Sequence, residues 1–208
     1  MTASYENGTA PSVDDPAFLT ALVTEHFVLQ TARSIGTGEA TSRGALYVAT
    51  LSSGLVASGF ASGKPYFPLF LGAVLTVVLA LGLITFARLV EISREDLLRL
   101  RDMHVVHQYY RSLSPGARQY FRQVDVDDIS AVVETQYRRH SRWLILTSAA
   151  SLVAILNSVV LGTGLALLTG IAAGGFRPWD VAVGVAAAGL VCGGMLRFEY
   201  LALNGSPH

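Results

Sequence analysis

Four long apolar runs without a charged residue set the hydrophobic pattern of this chain. They cover residues 44–63, 65–87, 143–176 and 181–196. A helix of about 20 apolar residues crosses the roughly 30 Å hydrocarbon layer of a bilayer. The runs therefore predict four transmembrane helices, grouped into two hairpins at 44–87 and 143–203.

An amphipathic pattern precedes the first span. Asp15 and Pro16 are a typical helix start, with a carboxylate at the N-cap and proline at the first helical position. The pattern predicts an N-terminal cytoplasmic amphipathic helix within residues 15–43, ending near Gly36-Thr37-Gly38. We expect it to pack on the protein's own cytoplasmic helices. A position in the membrane interface is the alternative, but such helices usually carry more Lys and Arg on their polar face.

The helical pattern continues beyond the second span. Apolar residues recur at helical spacing from Leu89 to Leu113, which predicts an extension of span two out of the membrane. Ser93 and Asp96 offer an alternative, because a capping box formed by these two residues would restart the helix there.

The rest of the chain is organised around this extension. Ser114-Pro115 begins a further short helix, so residues 88–142 are predicted to form a helical cytoplasmic stalk. Residues 1–14 are predicted to be a disordered tail, and residues 204–208 a short C-terminal tail. The fold class is therefore an all-α membrane protein with four transmembrane helices, an N-terminal amphipathic helix and a helical cytoplasmic segment between spans two and three.

The distribution of basic residues predicts the orientation, since cytoplasmic loops carry the excess of Lys and Arg. The predicted stalk holds most of the arginines: Arg88, Arg94, Arg99, Arg101, Arg111, Arg118, Arg122, Arg138, Arg139 and Arg142. Both termini are then cytoplasmic, in a bacterial plasma (inner) membrane. Arg88, Arg142, Trp143 and Trp179 are the expected topology anchors, because arginine and tryptophan collect at membrane surfaces.

Composition supports the lipid bilayer as the chain's main partner and excludes several classes of protein. Hydrophobic residues make up 51% of the chain and charged residues only 14%, whereas about a quarter of a soluble protein is charged. The net charge of zero argues against nucleic-acid binding, which usually requires a basic excess. A single cysteine, Cys192, excludes a disulfide framework within one chain.

No constellation of residues typical of catalysis is present. The sequence lacks the phosphate-binding, dinucleotide-binding, zinc-protease and serine-hydrolase motifs. None of the four apolar runs contains a charged residue, whereas ion-coupled transporters usually have one in a span. We therefore expect no enzyme activity, no catalytic residue, no cofactor and no metal centre.

Asn157 is the most polar side chain within a predicted span. A carboxamide in hydrocarbon needs a partner, because an unsatisfied polar group there costs several kcal/mol. An interhelical hydrogen bond is the simpler interpretation. In the alternative, Asn157 faces a polar pathway or an oligomer axis together with Ser53 and Ser58 of span one.

Small residues repeat every fourth position in spans one and four. Gly54 and Ala57 belong to such rows in span one, and Gly184 and Ala188 do so in span four. Rows of small residues let helices approach closely. Packing within one protomer would explain them, and a subunit interface or pore lining is the alternative.

His104 and His107 lie one helical turn apart on the predicted stalk. Imidazoles at this spacing can bind a metal ion or act as a pH sensor. Ordinary packing or surface histidines are the simpler interpretation, since no third ligand follows at helical spacing.

Several stretches resemble known families. Residues 24–34 (TEHFVLQTARS), 107–110 (HQYY) and 155–159 (ILNSV) are similar to a family of uncharacterised four-span integral membrane proteins of high-GC Gram-positive bacteria, which has no assigned activity. The order of an N-terminal helix, a close pair of spans and a cytoplasmic helix more loosely resembles the SLATT-type membrane effectors. That resemblance implies pore formation, although the second pair of spans departs from the SLATT pattern.

These observations lead to two functional hypotheses. The first is a homo-oligomeric pore or signal-responsive membrane effector. The alternative is a non-conducting membrane scaffold, or a regulatory subunit, that binds a cytoplasmic protein partner through its stalk.

Overall fold

The computed structural model describes residues 16–112 and 148–204, which form four helices. They are α1 (Pro16–Ala61), α2 (Phe67–Ser112), α3 (Ala149–Ala172) and α4 (Pro178–Asn204). Each contains a segment long and apolar enough to cross a membrane, which confirms the four candidate transmembrane helices. The predicted helices between residues 113 and 142 and the tails 1–14 and 205–208 lie outside the described residues.

Helix α1 is unbroken from Pro16 to Ala61, so the prediction of a helix end near Gly36-Thr37-Gly38 is wrong. Gly36 is buried in the helix, and a Cβ there would lie 3.4 Å from an Arg99 nitrogen and 3.6 Å from a methyl group of Ile92. These are ordinary van der Waals distances, so residue 36 is an interior position of the helix packed against α2. This stretch of α1 packs along α2, with Arg33 paired to Asp96 and His26 beside His107, as expected for a helix packed on the protein's own helices.

Helix α2 likewise continues far beyond the second apolar run, to Ser112. The predicted extension is therefore confirmed over residues 88–112. The capping-box alternative is wrong, because the Ser93 hydroxyl donates to the Leu89 carbonyl oxygen within the helix (3.0 Å). Asp96 instead accepts a hydrogen bond from Arg33 of α1 (2.7 Å).

The two long helices pack along each other as an antiparallel hairpin. They are joined by a short turn in which Gly63 adopts a positive φ of 79°, a conformation that glycine reaches without strain. Facing pairs run the length of the hairpin: His26 with His107, Arg33 with Asp96, Glu39 with Arg88, and Gly54 with Val74. Residue numbers on α1 rise as those on α2 fall, so the seam between the helices keeps one register throughout.

Helices α3 and α4 form a second, shorter hairpin. Gly162 and Gly184 face each other so closely that a Cβ on either would contact the carbonyl oxygen of the other. The turn between the helices contains Gly174, whose φ is 72°. Close backbone approach of this kind is the usual device for helix pairs in lipid.

The four helices pack mainly in chain order, with α2 and α3 as the inner pair and α1 and α4 outside. All four contribute to one hydrophobic core, whose buried members are Tyr47, Val78, Phe86, Leu89, Val90, Ala150, Val153, Ala154 and Met195. The core lies beside the apolar halves of the long helices. The remaining halves of α1 and α2, near residues 16–43 and 88–112, begin at the edge of this core, to which Leu89 and Val90 still belong, and extend beyond it as a two-helix arm.

Candidate functional site

Asn157 lies in the packed centre of the helix bundle. Only 2% of it is exposed, and Tyr47, which is fully buried, donates its hydroxyl to the Asn157 Oδ1 (3.4 Å). Gly82 of α2 lies against the same carboxamide, since a Cβ there would collide with the Asn157 carboxamide. The structure thus places Asn157 in an interhelical hydrogen bond between α3 and α1, with its side chain enclosed by three helices.

The serines predicted to accompany Asn157 lie elsewhere. Ser58 donates to the Gly54 carbonyl oxygen one turn earlier (2.8 Å), so its hydroxyl is satisfied within α1. Ser53 is exposed on the surface of α1, as is its neighbour Ser52. The structure therefore brings Asn157 together with Tyr47 and Gly82, and not with Ser53 or Ser58.

The small residues fall into two groups. Gly54 packs against Val74 of α2, and both Gly184 and Ala188 pack against Gly162 of α3, whereas Ala57 is only half-buried. A second group on α4, Gly189 and Gly193, is exposed, and a Cβ on either would meet nothing within 4 Å. Packing inside the protomer accounts for the first group and leaves the second unexplained.

Glu199 is a buried carboxylate that the sequence pattern did not reveal. Only 1% of it is exposed, and it accepts hydrogen bonds from the hydroxyls of Ser148 (2.8 Å) and Ser151 (2.9 Å). Ser148 is also the N-cap of α3 and accepts from the Ser151 backbone N–H. The carboxylate thus sits at the positive end of the α3 dipole and fastens the start of α3 to the end of α4.

Ion pairs connect the two helices of the arm. Arg33 of α1 bonds to Asp96 of α2 (2.7 Å), and Arg88 of α2 bonds to Glu39 of α1 (3.0 Å) and to Glu91 of its own helix (2.7 Å). All of these side chains are partly exposed, so each pair contributes little free energy. Their main effect is to favour a single register of the arm.

The predicted topology anchors are only partly described. Arg88 lies where the second apolar run ends and is bonded to Glu39 and Glu91. Trp179 is exposed in the first turn of α4, a position suited to a membrane surface. Arg142 and Trp143 lie outside the described residues.

His104 and His107, the stalk histidines, lie near the C-terminal end of α2. The side chain of His104 lies outside what the structure describes, whereas the His107 ring lies 5.1 Å from the ring of His26 on α1, measured between centroids. Among the described residues, no group of three His, Cys, Asp or Glu side chains is arranged to hold a metal ion. Sequence spacing pairs His107 with His104 on the same helix, whereas the structure places its ring beside His26 of α1.

The arm exposes large apolar side chains outside the apolar runs. Phe27 and Ile35 of α1 are 62% and 66% exposed, and Val23 and Val28 lie beside them on the same side of the helix. This outward face of α1, defined here by Val23, Phe27, Val28 and Ile35, lies opposite the seam with α2. Exposed apolar patches of this kind usually mark contacts with another protein or a membrane.

An apolar groove of about 660 Å³ opens between α3 and α4. Its lining includes Ile155, Val159, Phe176, Val185 and Cys192. Within a bilayer such a groove would be in contact with lipid chains. Ser158, which also lines the groove, donates its hydroxyl to the Ala154 carbonyl oxygen of its own helix.

The chain matches no protein-family model, no curated protein and no solved structure. The family resemblances of its motifs therefore stay predictions, and its function has to be argued from its own residues. Three features can carry such an argument. They are the buried hydrogen bond between Tyr47 and Asn157, the buried Glu199, and the ion-paired arm with the outward face of α1.

Proposed function

We propose that this protein is a self-assembling membrane scaffold. Four spans anchor it in the bacterial inner membrane, and copies associate in the cytoplasm through the outward face of α1. The observation that carries the proposal is the exposure of Phe27 and Ile35 on a part of α1 beyond its apolar run. Phenylalanine and isoleucine in water favour burial against a partner by roughly 1.5–3 kcal/mol each.

The arm is suited to present this face. Residues 16–43 of α1 extend about 40 Å at 1.5 Å per residue, and α2 supports them through the Arg33–Asp96 and Glu39–Arg88 pairs. An isolated helix of this length would bend or fray in water, whereas two helices in register form a stiff support. The arm therefore needs no further domain to hold its apolar face away from the membrane.

The interior of the protomer favours a scaffold over a channel. The polar side chain of Asn157 is paired with Tyr47, and the buried carboxylate of Glu199 is paired with two serine hydroxyls. Each group is satisfied by protein, so none is available to replace the water shell of a permeating ion. A single protomer is thus expected to be impermeable.

A pore formed by several copies is the second candidate, and one observation favours it. Ser52 and Ser53 are exposed on the apolar part of α1, where lipid chains would offer their hydroxyls no hydrogen-bond partner. In a ring of copies these two serines, rather than Asn157, would line the path.

A cross-linking experiment tests the scaffold. In a Cys192→Ser background, Phe27→Cys on the outward face should be joined between copies by a short bifunctional maleimide. Glu25→Cys is a matched control, since Glu25 is exposed on the same helix but, two residues before Phe27, lies about 160° around the helix axis from it at 3.6 residues per turn. Equal cross-linking at both positions, or none at either, would refute assembly through this face.

Ion flux separates the two candidates. Liposomes containing the wild-type protein, at a density where Phe27→Cys cross-links, should retain a small-ion gradient if the protein is a scaffold. A leak that falls in Ser52→Leu/Ser53→Leu and persists in Asn157→Leu would instead favour the pore.

A further inference from the structure

The facing histidines of the arm form the strongest unassigned constellation in the described part of the chain. His26 of α1 and His107 of α2 have their ring centroids 5.1 Å apart and their planes inclined by 43°. They come from different helices at the same level of the seam. We propose that His26 and His107 form an interhelical site for a divalent first-row transition-metal ion, such as Zn²⁺, Ni²⁺ or Cu²⁺.

The separation of the rings fits a shared ion. Metal–nitrogen bonds are about 2.0–2.1 Å long, and two imidazoles on one tetrahedral ion have centroids about 5 Å apart. The observed centroid separation of 5.1 Å matches this value. Imidazole is a ligand that suits zinc, copper and nickel alike, and water would complete the coordination.

A second observation is the unsatisfied nitrogen of His26. Its Nδ1 is shielded from solvent and has no hydrogen-bond partner. Buried polar atoms in proteins are almost always hydrogen-bonded, so an orphan nitrogen beside another imidazole indicates a missing partner. A metal ion bound to Nδ1 would supply it.

Gln30 provides the support that such a ligand needs. Its amide nitrogen lies 3.0 Å from the His26 Nε2, and turning the amide over places the carbonyl oxygen at that position. Nε2–H would then donate to this oxygen, leaving the lone pair of Nδ1 for the metal. Ligating histidines usually donate their second nitrogen in this way, which fixes the tautomer and the ring orientation.

The bound ion would link α1 to α2 near the end of the arm. The Arg33–Asp96 pair joins α1 to α2 about two turns away, and a shared ion would add a stronger link beyond it. Occupancy by the metal would therefore stabilise the arm, in proportion to the logarithm of the metal concentration.

Metal titration of the full-length protein tests the site. The protein is prepared in detergent micelles without a polyhistidine tag, and Ni²⁺ or Zn²⁺ binding is followed by calorimetry. We expect one ion per chain. His26→Asn and His107→Asn should each lower the affinity at least about tenfold, and Gln30→Leu about tenfold. His208→Asn at the C-terminus is the matched control and should bind as wild type.

Spectroscopy identifies the ligands and controls for unfolding. The Cu²⁺ paramagnetic resonance spectrum should show coupling to two imidazole nitrogens in the wild type and to one in either single variant, with helix content unchanged by circular dichroism. Binding that survives His26→Asn but is abolished by His104→Asn would place the ion on α2 alone and overturn the proposal. So would wild-type affinity no better than that of the double variant His26→Asn/His107→Asn.

Discussion

The two helix hairpins of this protein are held together by different means. The α1–α2 hairpin is joined beyond its apolar part by partly exposed ion pairs, such as Arg33–Asp96. The α3–α4 hairpin is joined by backbone contact at Gly162 and Gly184 and by the buried carboxylate of Glu199. Ion pairs suit a surface in contact with water, whereas close backbone packing and fully paired polar groups suit hydrocarbon. The contrast is the one expected if, as proposed, the arm lies in water and the α3–α4 hairpin lies in the membrane.

The largest loss of stability is expected at the glycine contact of the second hairpin. Gly162→Leu places a branched side chain against the Gly184 backbone and must push α3 and α4 apart, at a cost of about 3 kcal/mol or more. Denaturation of the protein from mild detergent into SDS would measure it through the loss of helicity. Gly189→Leu is the control, because its Cβ would lie in open space, and an equal loss there would contradict the role of the contact.

A smaller but distinct loss is expected at the buried carboxylate. Glu199→Ala removes the acceptor that the hydroxyls of Ser148 and Ser151 share, which costs about 1–3 kcal/mol. Glu199→Gln keeps one acceptor oxygen and should lose less. The same SDS titration measures both variants. Glu91→Ala, at an exposed position, should change stability by no more than about 0.5 kcal/mol, and the fastening role fails if Glu199→Ala behaves likewise.

The smallest effect is expected at the ion pairs of the arm. Arg33→Gln should weaken the contact between α1 and α2 by about 0.2–1 kcal/mol, measured as faster amide hydrogen exchange in residues 20–40. The difference should shrink at 1 M salt, where the screening length falls to about 3 Å. Adding Asp96→Asn should cost little more, since the pair is already broken. Two additive losses would show that these residues act separately.

Much of the architecture could be predicted because it depends on local pattern. The apolar runs specify four helices long enough to span a membrane, and the spacing of Leu89, Ile92 and Leu97 predicts that α2 continues beyond its span. The end of the first helix could not be predicted. Glycine at residue 36 weakens a helix considered alone, whereas in the structure this stretch packs against Ile92 and Arg99 of α2, a contact between distant residues that local pattern does not show.

The candidate sites were less accessible to sequence reasoning because their members meet across helices. Sequence spacing pairs His107 with His104 on the same helix, and no local pattern connects His107 with His26 of α1. Glu199 follows Arg197, just after the last apolar run. Its position is therefore typical of a charged residue at the membrane surface rather than of a buried one. The N-cap pattern of Ser148 and Ser151 was the available signal that an acceptor would be needed near the start of α3.

The unbroken course of α1 has a mechanical consequence. Phe27 and Ser52 lie on the same side of a single helix, about 37 Å apart along its axis at 1.5 Å per residue, with no interruption of the helix between them. A rigid rod transmits tilt and rotation over its whole length, so a displacement imposed at Phe27 reaches Ser52 without a hinge to absorb it. In the membrane assembly proposed above, association of copies at Phe27 would thereby set the tilt of the apolar part of α1.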